Sequence, residues 1–289
     1  MSAQQIGFAG LGRMGGPFAR RLVEAGYAVT GFDPAGTSER LPSGARAAGS
    51  IAELVRSTDT LLLSVPDGRV SQAICSEVAA PGERRVRTVI DLSTIGIAAA
   101  RACAELLAAV GVAYVDAPVS GGVAGAESGS LAMMIGAPAL LVDELDPLLA
   151  VLAKNRFRVG AEPGQGQAMK LLNNYVSASA LAATCEATVF GAHLGLDLTQ
   201  MVEVLNASSG RSAASQDKFP RSVVPRTYDF GFAGALMTKD VSLYLENAEN
   251  ADVPHDLAAS VAGLWQRFNA AHPTADFTYL HKYLEDRER

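Results

Sequence analysis

Few of the residues that mark disulfide-rich, nucleic-acid-binding or metal-binding proteins occur in this sequence. Three cysteines, Cys75, Cys103 and Cys185, stand far apart without a CxxC pair, which predicts reduced, buried thiols in a cytoplasmic protein. Lysine and arginine number 24 against 30 acidic residues, a net charge of -6, so we exclude DNA and RNA as main partners. We also find no histidine, cysteine and acidic residues with the spacing of a metal site.

Long unbroken apolar runs are absent as well. The most hydrophobic long stretch, residues 175–194, is interrupted by Ser177, Thr184 and Glu186. A bilayer core would penalise these residues, so we predict a buried helix and no membrane partner. The chain enters a strand pattern at Ile6 without a basic region followed by an apolar stretch, which predicts no signal peptide and a cytoplasmic location.

The length of 289 residues, 49% of them hydrophobic, predicts two domains with separate cores. The first half alternates short apolar runs with helical patterns, which is typical of βαβ units and a parallel sheet covered by helices on both faces. After Gly160 the strand-like runs end and helical patterns dominate. We therefore predict an α/β fold with a doubly wound, mostly parallel sheet in residues 1–162, followed by an all-helical domain in residues 163–289.

The hydrophobic periodicity also predicts the individual elements. Strands are expected over 6–9, 28–32, 60–65, 88–92, 113–115, 132–135 and 157–159. Helices are expected over 14–25, 70–78, 97–110, 142–152, 165–194, 198–206, 236–251 and 257–271. A loop rich in proline and glycine is expected over 219–234.

A glycine loop follows the first predicted strand and opens the first predicted helix: Gly10-Leu11-Gly12-Arg13-Met14-Gly15. In this context Gly10 permits a tight turn, Gly12 lets the backbone approach a pyrophosphate, and Gly15 allows close helix packing. The positive helix N-terminus adds attraction for phosphate. The loop therefore predicts dinucleotide binding; the alternative is a glycine-rich turn that binds nothing.

Asp33 follows the second predicted strand, about twenty residues after the glycines, where an acidic side chain can accept hydrogen bonds from the adenosine ribose. A carboxylate here repels a 2′-phosphate, which favours NAD over NADP. Arg13 or Arg40 could offset that repulsion. The alternative role for Asp33 is a turn residue before Pro34.

Lys170 and Asn174 lie four residues apart near the start of the long predicted helix and face the same way. The apolar neighbours Met169, Leu171 and Leu172 suggest a setting that lowers the pKa of a lysine, because the charged form loses hydration. Lys170 would then serve as a proton donor or acceptor near neutral pH. An ordinary surface lysine is the alternative.

The segment Asp116 to Gly122 follows a strand and so lies at the carboxyl edge of the sheet, where open α/β folds bind ligands. Ser120, with the amides of Gly121 and Gly122, could hold a substrate carboxylate. A plain turn is the alternative. Read alone, Lys239-Asp240 is equally well explained as a solvated pair.

Taken together, four ordered motifs resemble the β-hydroxyacid dehydrogenase family, close to the 3-hydroxyisobutyrate dehydrogenases, over nearly the whole chain. They are Gly7 to Gly15, Asp116 to Gly122, Gly164-x-Gly166-xxx-Lys170-xxx-Asn174, and Lys239-Asp240. Two further segments resemble the family's cofactor-contacting turns, namely Asp91-Leu92-Ser93-Thr94, in which Thr94 would lie beside the nicotinamide, and Val65-Pro66.

The resemblance implies a Rossmann-like domain that binds NAD, or else NADP, and a helical domain for substrate binding and dimerisation. The implied reaction transfers a hydride between that cofactor and a small β-hydroxy acid or its semialdehyde. Lys170 would be the catalytic lysine and Asn174 would orient the substrate. Lys239 would reach cofactor and substrate, and the loop 230–232 would cover them. The substrate carboxylate would be held by Ser120, Gly121 and Gly122.

Two alternatives stay open beside this reading. Imine reductases share the scaffold but typically lack a lysine at the position of Lys170, and a non-catalytic nucleotide-binding module would share the fold without the chemistry. The long helix, apolar almost all round, predicts a homodimer or homotetramer. Arg211, Phe219 and Phe232 are candidate specificity positions.

Overall fold

Nine strands build one sheet in residues 4–287, the part of the chain that the computed structural model describes. They are β1 (Gln5–Ala9), β2 (Ala28–Phe32), β3 (Arg46–Ala47), β4 (Thr60–Leu63), β5 (Thr88–Asp91), β6 (Ala113–Asp116), β7 (Val119–Ser120), β8 (Ala132–Gly136) and β9 (Asn155–Gly160). The chain forms two compact units. The first ends at Lys170 and holds this sheet, and the second begins at Leu171.

The order of the strands determines where a ligand can bind. It is β3-β2-β1-β4-β5-β6-β8-β7, with β9 beside β8. The pairs from β3 to β6 are parallel, whereas β8 runs antiparallel to β6 and β7. The chain builds outward from β1 to β3 and returns to the other side of β1 with β4, which opens a ligand-binding crevice at the carboxyl ends of β1 and β4. The predicted doubly wound, mostly parallel sheet is confirmed.

Strand β4 illustrates why short apolar runs located the sheet. Its four residues are all buried. Leu62 packs into one hydrophobic cluster, and Leu61 and Leu63 pack into another. Successive side chains of a strand point to opposite faces, so a strand covered by helices on both faces is apolar throughout.

Seven helices lie within the described residues of the first unit. They are α1 (Gly15–Glu24), α2 (Thr37–Arg40), α3 (Ile51–Ser57), α4 (Gly68–Ala79), α5 (Ile97–Ala108), α6 (Gly122–Ser128) and α7 (Ala139–Leu152). The sequence prediction missed α2, α3 and α6. A signal for α3 was present, since the Ser50 hydroxyl accepts from the Glu53 amide at 3.2 Å and the Glu53 carboxylate accepts from the Gly49 amide at 2.8 Å, close to a capping box.

The helix predicted over 70–78 begins earlier, at Gly68, because Asp67 caps it. Asp67 Oδ1 accepts hydrogen bonds from the amides of Arg69 at 2.9 Å and Val70 at 3.1 Å. A side-chain oxygen at this position satisfies amides that the first helical turn leaves without an acceptor. Because of this cap, α4 begins closer to the turn that follows β4 than the sequence predicted.

One long helix, α8 (Gln165–His193), begins in the first unit and continues into the second. The second unit also contains α9 (Leu198–Ala207), a π-helix (Ala214–Val223), α10 (Gly234–Asn250), α11 (Asp256–Ala271), a 3-10 turn (Phe277–Tyr279) and α12 (Leu280–Arg287). Across residues 4–287, none of the helices combines the length and the apolar character that crossing a bilayer requires.

The loop predicted over 219–234 is wrong in its first part, because residues up to Val223 belong to the π-helix. Phe219 and Val223 are buried in the core of the second unit, in one cluster with Trp265 and Phe268. A π-helix bonds residue i to i+5 and does not follow the α-helical period. Pro220 within it also signalled a helix end, so the sequence pattern indicated a loop.

All three cysteines are free and buried. The Cys103 thiol of α5 and burial both raise the pKa of the Cys75 thiol of α4. Burial likewise raises the pKa of Cys185. Cys75 and Cys185 therefore carry little thiolate, the form in which cysteine is reactive.

Candidate active site

The glycine loop between β1 and α1 has the backbone shape that its sequence predicted. Gly10 adopts φ +91°, and its amide donates to the Phe32 carbonyl at 2.9 Å. A Cβ at Gly10 would collide with the Ser64 carbonyl, and one at Gly15 would collide with the Gly10 carbonyl. A Cβ at Gly12 would meet no atom within 4 Å. The loop is therefore closed at Gly10 and Gly15 and open at Gly12, where a ligand can approach the backbone.

Backbone donors face this opening. Among the described residues, the amides of Gly12, Arg13 and Met14 find no hydrogen-bond acceptor. They precede the N-terminus of α1, whose first turn carries no acidic residue. Unpaired amides together with a helix dipole attract phosphate groups. The residues present fit the pyrophosphate of a dinucleotide.

Asp33 stands at the end of β2 and contacts the glycine loop directly. Its Oδ2 accepts from the Leu11 amide at 2.8 Å, and its Oδ1 accepts from the Ala35 amide at 2.8 Å. Arg40 Nη1 lies 3.2 Å from Oδ2. Asp33 therefore shapes its turn and also places a carboxylate beside the glycine loop.

Two turns with predicted cofactor contacts, after β4 and after β5, are tied together by Ser93. The Val65 amide donates to Ser93 Oγ at 2.9 Å, and the Ser93 amide donates to Asp91 Oδ1 at 2.9 Å. Asp91 is fully buried, which raises its pKa, while hydrogen bonds from Ser71 and Ser93 act in the opposite direction. Pro66 and Thr94 follow Val65 and Ser93 in these turns, so the network fixes the backbone that carries them.

Asp116 and Gln167 attach the first turn of α8 to the carboxyl edge of the sheet. Asp116 Oδ2 accepts from the amides of Gly164 at 2.8 Å and Gln167 at 3.1 Å, and Oδ1 accepts from Gln167 Nε2 at 2.9 Å. Gln167 Oε1 accepts from the Ile95 amide at 2.9 Å and the Gly96 amide at 3.2 Å. Its Nε2 also donates to the Ser93 carbonyl at 3.0 Å. The side-chain amide of Gln167 thus makes all four of the hydrogen bonds that it can form.

Burial raises the pKa of Asp116 to about 6, against the opposing effect of the hydrogen bonds from Gln167 and Gly164. The charge of Asp91 acts in the same direction as burial. All three donors to Asp116 need an acceptor oxygen, so the ionised carboxylate matches its surroundings. This hydrogen-bonding role of Asp116 and the role of Gln167 were not recognised from the sequence, because a glutamine in a helix carries no distinguishing pattern.

Lys170 lies one turn of α8 beyond Gln167 and is the last residue of the first unit. Lys170 is only 7% exposed, so the alternative of an ordinary surface lysine does not hold. The Asp116–Gln167 attachment fixes the helix turn that carries it. The predicted carboxylate site at Ser120, Gly121 and Gly122 lies at the end of β7 and the start of α6, where the two glycines adopt φ +132° and +66°.

In the second unit, Asn174, Lys239 and Asp240 form one cluster. The buried Asn174 donates from Nδ2 to Asp240 Oδ2 at 2.6 Å and accepts from Asn173 Nδ2 at 3.1 Å. Lys239 Nζ lies 3.5 Å from Asp240 Oδ1. Asp240 is buried, so the pair is not simply solvated. The sequence did not show that Asp240 also holds the Asn174 amide in position.

The glycine loop and the doubly wound sheet fit a nucleotide-binding domain, and two family models identify the class of protein. Residues 5–160 match the model described as NAD binding domain of 6-phosphogluconate dehydrogenase. Residues 164–284 match NAD-binding of NADP-dependent 3-hydroxyisobutyrate dehydrogenase. The chain is an NAD(P)-dependent oxidoreductase acting on a CH–OH group. It belongs to the β-hydroxyacid dehydrogenase family, among the 3-hydroxyisobutyrate dehydrogenase-like members, as the motifs predicted.

Individual relatives agree. The chain is 32% identical to a 2-(hydroxymethyl)glutarate dehydrogenase of Eubacterium barkeri, over 91% of this chain and 88% of the relative. The structure of a Mycobacterium tuberculosis 3-hydroxyisobutyrate dehydrogenase with L-serine is 32% identical and has a TM-score of 0.90, covering 98% and 99% of the two chains. An imine reductase from a Pseudomonas species, 19% identical with a TM-score of 0.64 over 98% and 100% of the chains, shares the fold alone.

Proposed function

We propose that this enzyme interconverts a 3-hydroxypropanoate bearing a substituent on carbon 2 and the matching semialdehyde. 3-Hydroxyisobutyrate and 2-(hydroxymethyl)glutarate, the compounds in the names of similar proteins, both carry a hydroxymethyl group on the carbon beside a carboxylate. The observation that carries the proposal is the buried Lys170, on a helix turn that Gln167 attaches to the ends of β5 and β6. A buried lysine on a helix turn that is fixed in place can exchange a proton with a hydroxyl group.

In the proposed reaction Lys170 is the catalytic residue. A nicotinamide cofactor held at the glycine loop would supply the acceptor for the hydride of the hydroxymethyl carbon. Neutral Lys170 accepts the hydroxyl proton as the carbonyl forms, and in reduction its ammonium donates that proton. Asn174 orients the substrate: its contacts with Asp240 and Asn173 fix the amide and leave one Nδ2 hydrogen for the substrate oxygen.

The remaining predicted site residues bind substrate and cofactor in this proposal. Ser120 and the amides of Gly121 and Gly122 hold the substrate carboxylate, which the positive φ of both glycines favours by turning backbone amides toward an anion. Lys239, ion-paired with Asp240, binds both substrate and cofactor. Asp33 and the two turns at Val65-Pro66 and Thr94 would also hold the cofactor, and its pyrophosphate would be held by Gly10-Leu11-Gly12-Arg13-Met14-Gly15.

NAD is the preferred cofactor in this proposal. The Asp33 carboxylate, in contact with the Leu11 amide, lies where it would bind ribose hydroxyls and repel a 2′-phosphate. The Arg40 guanidinium beside it partly neutralises that charge. We therefore expect a preference for NAD with measurable use of NADP.

A homodimer or homotetramer is also part of the proposal. Leu172, Val176 and Phe190 of α8, and Leu194 directly after it, are 47–64% exposed, and the spacing of the three helical residues puts them in one stripe. Exposed apolar stripes of this kind mark association surfaces. We assign cofactor binding to residues 1–162 and substrate binding and dimerisation to residues 163–289. The cytoplasmic location rests on the free, buried thiols.

A screen of small β-hydroxy acids and their semialdehydes with NAD and NADP tests this function. We expect turnover of 2-substituted 3-hydroxypropanoates, with higher kcat/KM for NAD. Faster reduction of cyclic imines than of any semialdehyde would reverse the assignment in favour of imine reduction. Tight NAD binding without turnover of any compound would point to a nucleotide-binding module.

A further inference from the structure

Strands β5 and β6 both end in a buried aspartate, and the two residues are neighbours in the sheet. Asp91 and Asp116 are partners in the parallel register, and both are fully buried. Residues paired in this way point to the same face of a sheet, and neighbouring strands lie about 4.8 Å apart. Asp116 holds the first turn of α8, whereas the proposed reaction gives Asp91 no role.

Two buried carboxylates side by side are unfavourable unless other groups compensate for their charge. Among the described residues, neither aspartate forms an ion pair. The titratable side chains beside Asp91, Tyr114 of β6 and Cys75 of α4, are not cations. Burial raises the pKa of Asp91, and burial together with the charge of Asp91 raises the pKa of Asp116. Carboxylates in such a setting concentrate at functional sites, so the contacts of Asp91 are informative.

Asp91 holds the turn that follows β5. Its Oδ1 accepts from the Ser93 amide at 2.9 Å, and its Oδ2 accepts from the hydroxyl of Ser71 at 2.6 Å. Ser71 is fully buried on α4, so both carboxylate oxygens are bound inside the protein. We call residues 93–96 the β5 turn. Asp91 therefore ties the first residue of the β5 turn to α4.

On one side, the β5 turn contacts the turn that follows β4. The Val65 amide donates to Ser93 Oγ at 2.9 Å. Gly68 lies so close to the Ile95 carbonyl that a Cβ on Gly68 would stand 2.9 Å from its oxygen. The turn after β4 also borders the glycine loop, since it leaves no room for a Cβ on Gly10. The β5 turn is thus connected with the glycine loop through one intervening turn.

On its other side, the β5 turn contacts α8. Gln167 Nε2 donates to the Ser93 carbonyl at 3.0 Å, and Gln167 Oε1 accepts from the amides of Ile95 at 2.9 Å and Gly96 at 3.2 Å. Lys170 lies one helical turn beyond Gln167, in the same unit. The β5 turn therefore connects the glycine-loop side of the sheet with the helix turn that carries Lys170.

We infer that Asp91 is a positioning residue for Lys170: it fixes the β5 turn, and the β5 turn fixes the separation between Lys170 and the glycine loop. This inference rests on the proposed function, in which Lys170 transfers the proton. Asp91 is fully buried, and it acts through Ser93 and Gln167 without touching substrate or cofactor.

Steady-state kinetics with 3-hydroxyisobutyrate compare the wild type with Asp91→Ala, Asp91→Asn and the control Asp146→Ala. Asp91→Ala removes both acceptor oxygens, so kcat should fall about tenfold to a hundredfold, the usual effect of slightly misplacing a catalytic group. Asparagine keeps an oxygen for the Ser93 amide and has an NH2 group that can donate to Ser71, so Asp91→Asn should retain most of kcat. Asp146 is exposed on α7 and pairs with Arg156, and its variant should match the wild type.

A double-mutant cycle tests whether Asp91 acts through the β5 turn. If Asp91 and Gln167 hold Lys170 through the same turn, Asp91→Ala should add little to the loss of kcat that Gln167→Ala causes by itself. Losses that multiply would show two independent effects and overturn the inference. An Asp91→Ala enzyme with a lower Tm but the wild-type kcat, or an Asp91→Asn enzyme as slow as Asp91→Ala, would overturn it as well.

Amide hydrogen exchange of the free enzyme separates this inference from the proposed function, because it needs neither cofactor nor turnover. Asp91→Ala should speed exchange at the amides of Ser93, Ile95 and Gly96 about tenfold or more, whereas Asp91→Asn should stay near the wild type. The Phe8 amide in β1 is the reference for an intact sheet and should not change. Unchanged exchange in the β5 turn of Asp91→Ala would refute the role of Asp91, whether or not the enzyme oxidises hydroxy acids. Faster exchange there supports it, and a failure to turn over any hydroxy acid would then count against the proposed function.

Discussion

Gln167 and Asp116 are joined by two hydrogen bonds: Gln167 Nε2 donates to Asp116 Oδ1 at 2.9 Å, and the Gln167 amide donates to Oδ2 at 3.1 Å. The same glutamine side chain contacts the backbone at Ser93, Ile95 and Gly96. One residue of α8 is therefore attached to the turns after both β5 and β6. The next turn of that helix carries Lys170.

Gln167→Ala should lower kcat by about tenfold to a hundredfold, because a small misplacement of a catalytic group has a cost of that size. The substitution leaves Asp116 Oδ1 and the Ile95 and Gly96 amides without their partner, so the Tm should also fall. Steady-state kinetics measure the first effect and thermal unfolding measures the second, and the Kd for NAD should change little.

Gln165→Ala is the matched control, since Gln165 lies in the same turn but is exposed and contacts the Glu162 amide. It should keep the wild-type kcat. If Gln167→Ala lost stability but kept kcat, the glutamine would stabilise the fold without positioning Lys170.

Asp116→Asn should change how stability depends on pH. Burial raises the pKa of Asp116 in the folded wild type to about 6, whereas an ordinary aspartate carboxyl has a pKa of 3.8. The unfolding free energy of the wild type should therefore fall relative to Asp116→Asn as pH rises from about 4 to about 6, by about 3 kcal/mol. Above that range the difference should stay constant. Denaturant titrations across the range measure it, and a constant difference throughout would mean that the carboxyl keeps its ordinary pKa.

Periodicity located the sheet and the long helices because those elements are buried along regular faces. β4 and α8 were found in this way, as were the glycine loop and the helix turn of Lys170. α2 and the two-residue strands β3 and β7 were missed, since elements this short show no period. The antiparallel pairing of β8 with β6 was not predicted either, because a local sequence pattern does not show which strand lies beside another.

The sequence predicted the separate motifs of the candidate site. It did not predict the hydrogen bonds that join them. Gln167 and Ser93 act through hydrogen bonds to residues distant in sequence, and a polar residue that satisfies buried groups looks like any other glutamine or serine. The core position of Phe219 in the second unit was also not predicted, because the π-helix that carries it does not follow the α-helical period.

Asp33→Ser should shift the cofactor preference toward NADP. The substitution removes the carboxylate that repels a 2′-phosphate and leaves Arg40 without its ion pair. The ratio of kcat/KM for NAD to that for NADP should fall by about tenfold or more, as for the loss of a charged hydrogen bond. Steady-state kinetics with both cofactors measure this ratio.

Asp59→Ser is a suitable control for the cofactor variant, because Asp59 also pairs with an arginine, Arg85, at 2.8 Å. It precedes β4, at the amino edge of the sheet, away from the glycine loop. Its cofactor ratio should equal that of the wild type. An unchanged ratio in Asp33→Ser would remove Asp33 from cofactor selection.

Asp240→Ala should lower kcat about tenfold or more, because Asn174 loses the acceptor that orients its amide at 2.6 Å. Asp240→Asn keeps an oxygen acceptor and should recover part of that loss. The exposed Asp256 of α11 provides the control, and Asp256→Ala should behave as the wild type. Equal activity of the alanine and asparagine variants of Asp240 would argue against orientation of Asn174 as its role.

The central claim is that Lys170 transfers the proton, and the most direct test is single-turnover NADH formation by Lys170→Ala with 3-hydroxyisobutyrate and with 2-(hydroxymethyl)glutarate. Lys154→Ala, which removes an exposed lysine, serves as the control, and NAD binding is measured for both variants. We predict that Lys170→Ala loses at least about a hundredfold in the hydride-transfer rate, the usual contribution of a general base, while its Kd for NAD stays near the wild-type value. A Lys170→Ala enzyme that forms NADH at close to the wild-type rate would contradict the account.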